Sequence, residues 1–217
     1  MQEDIRVIYN TLYEHYGDLA WWPADTPYEV MLGAILTQNT NWKNVELALA
    51  NLEGNLTPEY IETIELDELT KLIRPAGFFN QKALYLKEMT LWFKRYNYDV
   101  NTVRQEPLDK LRHELLNVRG IGPETADSIL LYAFNLETFV IDAYTKRIFY
   151  RYGLDLGSKY EDLRRAFMES LPKDVEIYNH YHGLIVEHAK THCKKKPICT
   201  GCPLLANCER RGLEAIV

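Results

Sequence analysis

The segment DKLRHELLNVRGIGPETADSILLYAF, residues 109–134, most narrows what this chain can fold into. It reads as a helix, a short turn and a second helix. Gly120 and Gly122 permit close backbone approach and unusual torsions, and Pro123 suits the first position of the helix that follows. The unpaired N–H groups at such a helix start can hold a phosphate oxygen whatever the base sequence, which makes Gly120, Ile121 and Gly122 a candidate DNA-backbone contact. An ordinary helix-to-helix turn is the alternative. Glu124 stands in the first turn of the second helix, a carboxylate beside a candidate anion site; its structural role would be to complement the positive end of the helix dipole.

Helical signals run through the rest of the chain. DTPYEVMLGAIL offers Thr26 as N-cap, Pro27 at the first helical position and Glu29 to close a capping box, which predicts a helix over 27–38. The Thr-Pro start recurs at Thr57. Over 80–96 the apolar set Ala83, Leu84, Leu86, Met89, Leu91, Trp92 and Phe93 forms a wide stripe with Lys82, Lys87 and Glu88 outside it, which predicts a largely buried helix. Further helices are expected at 107–117, 123–134, 143–152, 159–170 and 175–191. The nearest approach to a strand is LETFVID, 136–142, and it is short. The expected fold is all-α, with two helical lobes and a cleft between them.

With 217 residues, 47% of them hydrophobic, the chain can bury a full core without a disulfide or a partner, and a monomer is expected. Acids within the first four residues and the lack of a long apolar run predict neither a signal peptide nor a membrane span, hence a cytoplasmic location. The net charge of −6 speaks against a general nucleic-acid coat, but the charge is uneven. Residues 51–70 hold six acids and no base, whereas Lys190, Lys194, Lys195, Lys196, Arg210 and Arg211 face only Glu187 and Glu209 between 187 and 211. One face could meet a polyanion while another repels it; solvated surface is the alternative for either run.

All the cysteines, Cys193, Cys199, Cys202 and Cys208, lie within sixteen residues in a C-x5-C-x2-C-x5-C pattern. Four thiolates so close can wrap one metal centre. Zinc is the rival to an iron–sulfur cluster, but structural zinc more often takes two close pairs, and only Cys199 and Cys202 are close here.

The stretch LLNVRGIGPETADSILLYAFNLETFVIDAYTKR, 115–147, resembles the helix-hairpin-helix and Gly/Pro/Asp signature of the endonuclease III superfamily of DNA glycosylases. The resemblance covers nearly the whole chain. It implies a six-helix barrel domain with the hairpin, placed at 27–135, and a terminal domain from 1–26 and 136–217 carrying a [4Fe-4S] loop. The hairpin would grip double-stranded DNA that contains a damaged base. Asp142 matches the family's catalytic carboxylate; its structural alternative, compatible with catalysis, is N-cap of the helix from Ala143. Members that also cut the backbone carry a lysine in the hairpin, and Glu124 holds that position. A carboxylate cannot form an imine, so AP lyase activity is expected to be absent. Lys146, one turn beyond Asp142, has nothing in the sequence to place it as a substitute. The four cysteines match the cluster loop, though its first gap is five residues where the family usually has six, and Lys194, Lys195 and Lys196 match a phosphate-binding finger on it.

AWWP, LGAILTQNT, IRPAGFFNQKA and GIGPETADSILLYA together resemble the 3-methyladenine DNA glycosylase III branch, whose characterised type lacks the cysteine loop. That resemblance implies a base pocket of Trp21, Trp22 and Glu124, with Gln38 entering the stack vacated by a flipped nucleotide. Adjacent tryptophans cannot both face one side of a helix, and an aromatic face favours a cationic base; packing between lobes is the alternative. The expected activity is a monofunctional glycosylase for an alkylated purine such as 3-methyladenine. The alternatives are an endonuclease III-like glycosylase for oxidised pyrimidine, uracil or a mismatched base, and a non-catalytic DNA-damage-binding protein.

Overall fold

The computed structural model describes residues 2–19 and 24–213. Among the described residues the chain forms no strand and twelve α-helices: α1 (Gln2–Tyr16), α2 (Pro27–Leu36), α3 (Trp42–Asn51), α4 (Pro58–Thr63), α5 (Leu66–Leu72), α6 (Phe79–Lys94), α7 (Val100–Arg104), α8 (Leu108–Leu116), α9 (Pro123–Ser128), α10 (Ala143–Tyr152), α11 (Tyr160–Ser170) and α12 (Val175–Thr191). A 3-10 turn spans Arg74–Ala76, and a π-helical turn, Ile129–Ala133, continues α9. The all-α expectation holds. The chain divides into two compact units, Ala24–Leu136 and Met1–Pro23 with Glu137–Val217.

In the unit Ala24–Leu136, α2 starts where its capping residues place it. Thr26 Oγ1 accepts from Glu29 N at 3.1 Å. The Glu29 carboxylate reaches back to Asp25 N rather than to Thr26 N, so the reciprocal half of the box is shifted by one residue. All but two of the ten α2 residues are buried. The helix packs on α3, α6, α9 and the π-helical turn, and each large side chain it buries contributes about 1.5–3 kcal/mol.

Helix α6 departs from its expected stripe at two positions. Leu91 is half exposed, while Lys82 is 2% exposed and lies among the buried residues Leu86, Met89 and Phe93. Nine residues at about 100° each set Leu91 opposite Lys82 on the helix, so burying one face exposes the other. Lys82 is admitted because two backbone carbonyls await its ammonium, which a hydropathy pattern cannot show.

Helices α8 and α9 make the expected hairpin. Arg112 clamps Asp127 across it with two bonds, Nε to Oδ1 at 2.9 Å and Nη2 to Oδ2 at 3.0 Å, and Asp127 is fully buried. At Gly120, φ is +83° and a Cβ would stand 2.2 Å from the Tyr85 ring, so no side chain fits. Gly122 differs from the expectation: its φ is −91°, and no atom lies within 4 Å of where its Cβ would be.

In the terminal unit, α1 packs on α11 and α12, and α12 on α10. Its centre is aromatic: Phe139 stacks on Phe167 at 4.4 Å, Phe149 meets Phe167 edge-on at 4.8 Å, and Tyr181 donates to Ile5 O at 2.6 Å. LETFVID forms no strand. Phe139, Val140 and Ile141 are buried there as irregular backbone that delivers Asp142 to the start of α10.

The hairpin clamp sets a stability test. Arg112→Leu strips a buried carboxylate of its guanidinium and is expected to lower unfolding free energy by about 3–5 kcal/mol in urea titration. Adding Asp127→Leu should recover much of that loss.

Candidate active site

Asp142 caps α10 and is 9% exposed. Its Oδ1 accepts from Thr145 N at 2.7 Å and from Thr145 Oγ1 at 2.8 Å, while Oδ2 lies 3.3 Å from Nε2 of the buried His182 on α12. Burial pushes the carboxyl pKa up; the His182 contact and charge and the two Thr145 bonds outweigh it, and the net shift is downward. The result is a buried group held as an anion. One oxygen is committed to the helix cap, and the other faces His182. Lys146, on the same helix, is exposed.

In the other unit, Gln38 lies just past the end of α2. Its Nε2 donates to Gly120 O at 2.9 Å and to Thr125 Oγ1 at 3.0 Å. Both amide hydrogens thus tie it to the hairpin, and Oε1 is the edge it can present elsewhere. Ile121 is buried, whereas Gly122 and Glu124 are exposed on the hairpin. Gly122 covers the start of α9 with no side chain.

Phe78 was not singled out by sequence. It is 63% exposed and has φ +47°, a left-handed conformation that costs an ordinary residue about 1–2 kcal/mol. Its only local signal is the adjacent aromatic pair Phe78-Phe79 at the start of α6. Phe79 turns its ring to Arg74, whose guanidinium sits 5.5 Å from the ring centre. Trp21 and Trp22 themselves lie outside the described residues.

The four cysteines line one hollow together with Ile148, Tyr152, His188 and Leu204. Burial pushes the thiols of Cys202 and Cys208 up, and the other cysteines push them further. A positively charged metal core that binds thiolates would relieve that cost, so the donor set fits such a group. Among the described residues, no three His, Cys, Asp or Glu side chains are grouped to hold a single metal ion. Arg147 Nε donates to Cys193 O at 2.8 Å, and Arg151 donates to Lys194 O and Lys195 O at 2.5 and 3.0 Å, which stakes the loop to α10. Lys194, Lys195 and Lys196 are exposed on it. His188, also unmarked by sequence, is buried; burial and the neighbouring His192 and His15 lower its pKa to about 4. Tyr16 Oη lies 3.1 Å from its Nδ1, and its Nε2 lies 3.7 Å from Cys202 Sγ.

Comparison with known proteins gives one family match. Residues 32–173 fit the HhH-GPD superfamily base excision DNA repair protein family. A Methanocaldococcus jannaschii protein assigned as a DNA repair glycosylase is 51% identical over 213 residues, which cover 95% of this chain and 96% of that one. Endonuclease III of Sulfolobus acidocaldarius is 32% identical over 84% of this chain and 81% of its own length. The crystal structure of H. pylori 3-methyladenine DNA glycosylase bound to 1,N6-ethenoadenine matches with a TM-score of 0.72 and 28% identity, over 87% of this chain and 95% of that one.

The environment of Asp142 sets a pH test. Its folded pKa lies below the value of about 3.9 for a free aspartate, so its ionised contacts contribute stability above about pH 4 and lose it as pH falls through the folded value. Asp142→Asn, which keeps an acceptor for the cap, is expected to be less stable than wild type at pH 7 by about 1–2 kcal/mol. Urea midpoints at pH 7 and pH 3 should show that gap closing in acid.

Proposed function

The chain belongs to the HhH-GPD superfamily of base excision DNA repair proteins, and from that membership we propose that it is a monofunctional DNA glycosylase hydrolysing the N-glycosidic bond of an alkylated purine such as 3-methyladenine. The observation that carries this reading is a buried carboxylate held as an anion at Asp142, together with an exposed carboxylate, Glu124, where an imine-forming amine would be needed. The likeness to the H. pylori enzyme, whose name specifies 3-methyladenine, supports the substrate class.

In this reading the bond from C1′ to the base breaks with its electron pair leaving on the base. An alkylated purine already carries positive charge, departs neutral, and needs no strong acid. The charge developing on the sugar is stabilised by the Asp142 carboxylate; water adds at C1′ and gives its proton to that carboxylate. Trp21, Trp22 and Glu124 border the cationic base. The turn at Gly120–Gly122 and the lysines 194–196 hold phosphates. Gln38 fills the vacated stack with its Oε1 edge outward, and Phe78, an apolar ring in solvent, has the chemistry of a wedge between base steps. Cys193, Cys199, Cys202 and Cys208 would hold a [4Fe-4S] cluster, which as a structural group fixes the loop bearing those lysines.

The likeness to endonuclease III favours a second reading, excision of oxidised pyrimidine, uracil or a mismatched base. Duplexes carrying single lesions separate the two. Base loss from 3-methyladenine, strand breaks only after alkali, and no borohydride-trapped adduct are expected. Asp142→Asn should slow single-turnover base release by about 100-fold or more. Release of an oxidised pyrimidine together with a trapped adduct would establish the second reading, and binding without release across the panel a non-catalytic protein.

A further inference from the structure

Lys82 is buried without any carboxylate among its hydrogen-bond acceptors, an arrangement that charge rarely tolerates. Its Nζ donates to Leu36 O at 2.7 Å and to Ala76 O at 2.8 Å. Leu36 ends α2, and Ala76 ends the 3-10 turn before α6. Two residues beyond the first carbonyl stands Gln38; two residues beyond the second stands Phe78. The backbone of Lys82 serves the same turn, since its N–H donates to Phe78 O at 2.9 Å. Between those two bonds, Gly77 at φ +69° and Phe78 at φ +47° take consecutive positive φ angles, the second in the left-handed helical conformation. One residue therefore fastens both ends of a strained turn and joins it to the end of α2. From there the Gln38 amide continues the connection to Gly120 and Thr125 of the hairpin. Strain of this kind persists only where surrounding bonds enforce it, and it collects at sites that must present a side chain.

The geometry points to Lys82 as a positioning residue, whose ammonium fixes the spacing of Gln38 and Phe78 so that the two side chains enter a duplex as one unit. Burial lowers its pKa to about 8, a cost borne for two interior carbonyl contacts. Those contacts lie at the negative ends of two helical segments, where a cation is favoured. The inference rests on the reading that Gln38 and Phe78 insert into DNA, and the experiment below tests that reading separately.

The probe is a duplex with a tetrahydrofuran abasic analogue and a neighbouring 2-aminopurine, whose fluorescence reports insertion without requiring the true lesion. Gln38→Ala and Phe78→Ala are each expected to weaken binding about tenfold and to lower the fluorescence gain. The double variant should depart from the product of the two by about fivefold, because the side chains act together. In Lys82→Met, first confirmed folded by thermal melting, the two effects are expected to become independent, with the departure shrinking to within about twofold. An unchanged departure in Lys82→Met overturns the role of Lys82 and leaves the insertion reading standing. Silence of both single variants overturns both. Should Lys82→Met fail to fold, Lys82→Arg, which keeps donors for two carbonyls, goes through the same cycle: a retained departure supports the inference, and its loss in a folded protein overturns it.

Discussion

A helix buried on nearly every side cannot leave its last carbonyl to water. Helix α2 is such a helix, and the donor that meets Leu36 O is the ammonium of Lys82, brought in from α6. The same ammonium closes the 3-10 turn at Ala76. A methionine in place of Lys82 would fill the space with less desolvation but leave two interior carbonyls without donors, at about 1–3 kcal/mol each. The core of this unit is therefore organised around a polar requirement, and the residues in contact with solvent near it, Gln38 and Phe78, inherit their positions from how that requirement is met.

Helices α10 and α9 start in opposite ways. Helix α10 is capped by its own side chain: Asp142 turns one oxygen to Thr145, and its charge lies at the positive end of the helix dipole. Helix α9 begins at Gly122 and Pro123, with no side chain from the cap residue covering its N–H groups and open space beside Gly122. An internal anion suits the first and an external anion the second. The absence of a side chain at Gly120 matters for a different reason, since Tyr85 packs directly against its backbone and holds the turn in shape.

Helix caps and apolar periodicity made the fold legible. Thr26-Pro27 and Thr57-Pro58 mark the starts of α2 and α4, and the ranges expected for α8, α10, α11 and α12 lie within a residue or two of those observed. Helix α1 is absent from the expected set, although Ile5, Ile8 and Leu12 form a stripe along it. What the sequence hid was pairing over distance. Nothing local ties His182 to Asp142, forty residues away, or places Lys82 inside a helix pattern that assigns lysine to water. Gln38 was legible as the end of a helix, but its bonds to Gly120 and Thr125 cross more than eighty residues. Gly120 takes the positive φ that its residue type permits and Gly122 does not, whereas Phe78, whose residue type gives no such warning, does.

Charge placement bears on how an acidic chain could hold a polyanion. Arg147 and Arg151 point the wrong way to serve as phosphate ligands in the conformation observed, because their guanidinium groups donate to carbonyls of residues 193–195. Their effect is indirect: they stiffen the loop on which Lys194, Lys195 and Lys196 stand exposed. A lysine on a fixed loop loses less freedom on meeting an anion than one on a loose tail. The acids of 51–70 belong to the other unit and do not neutralise this loop by sequence proximity. The positive charge of Lys194, Lys195 and Lys196 is thereby presented from a loop already fixed to α10 rather than from a loose tail.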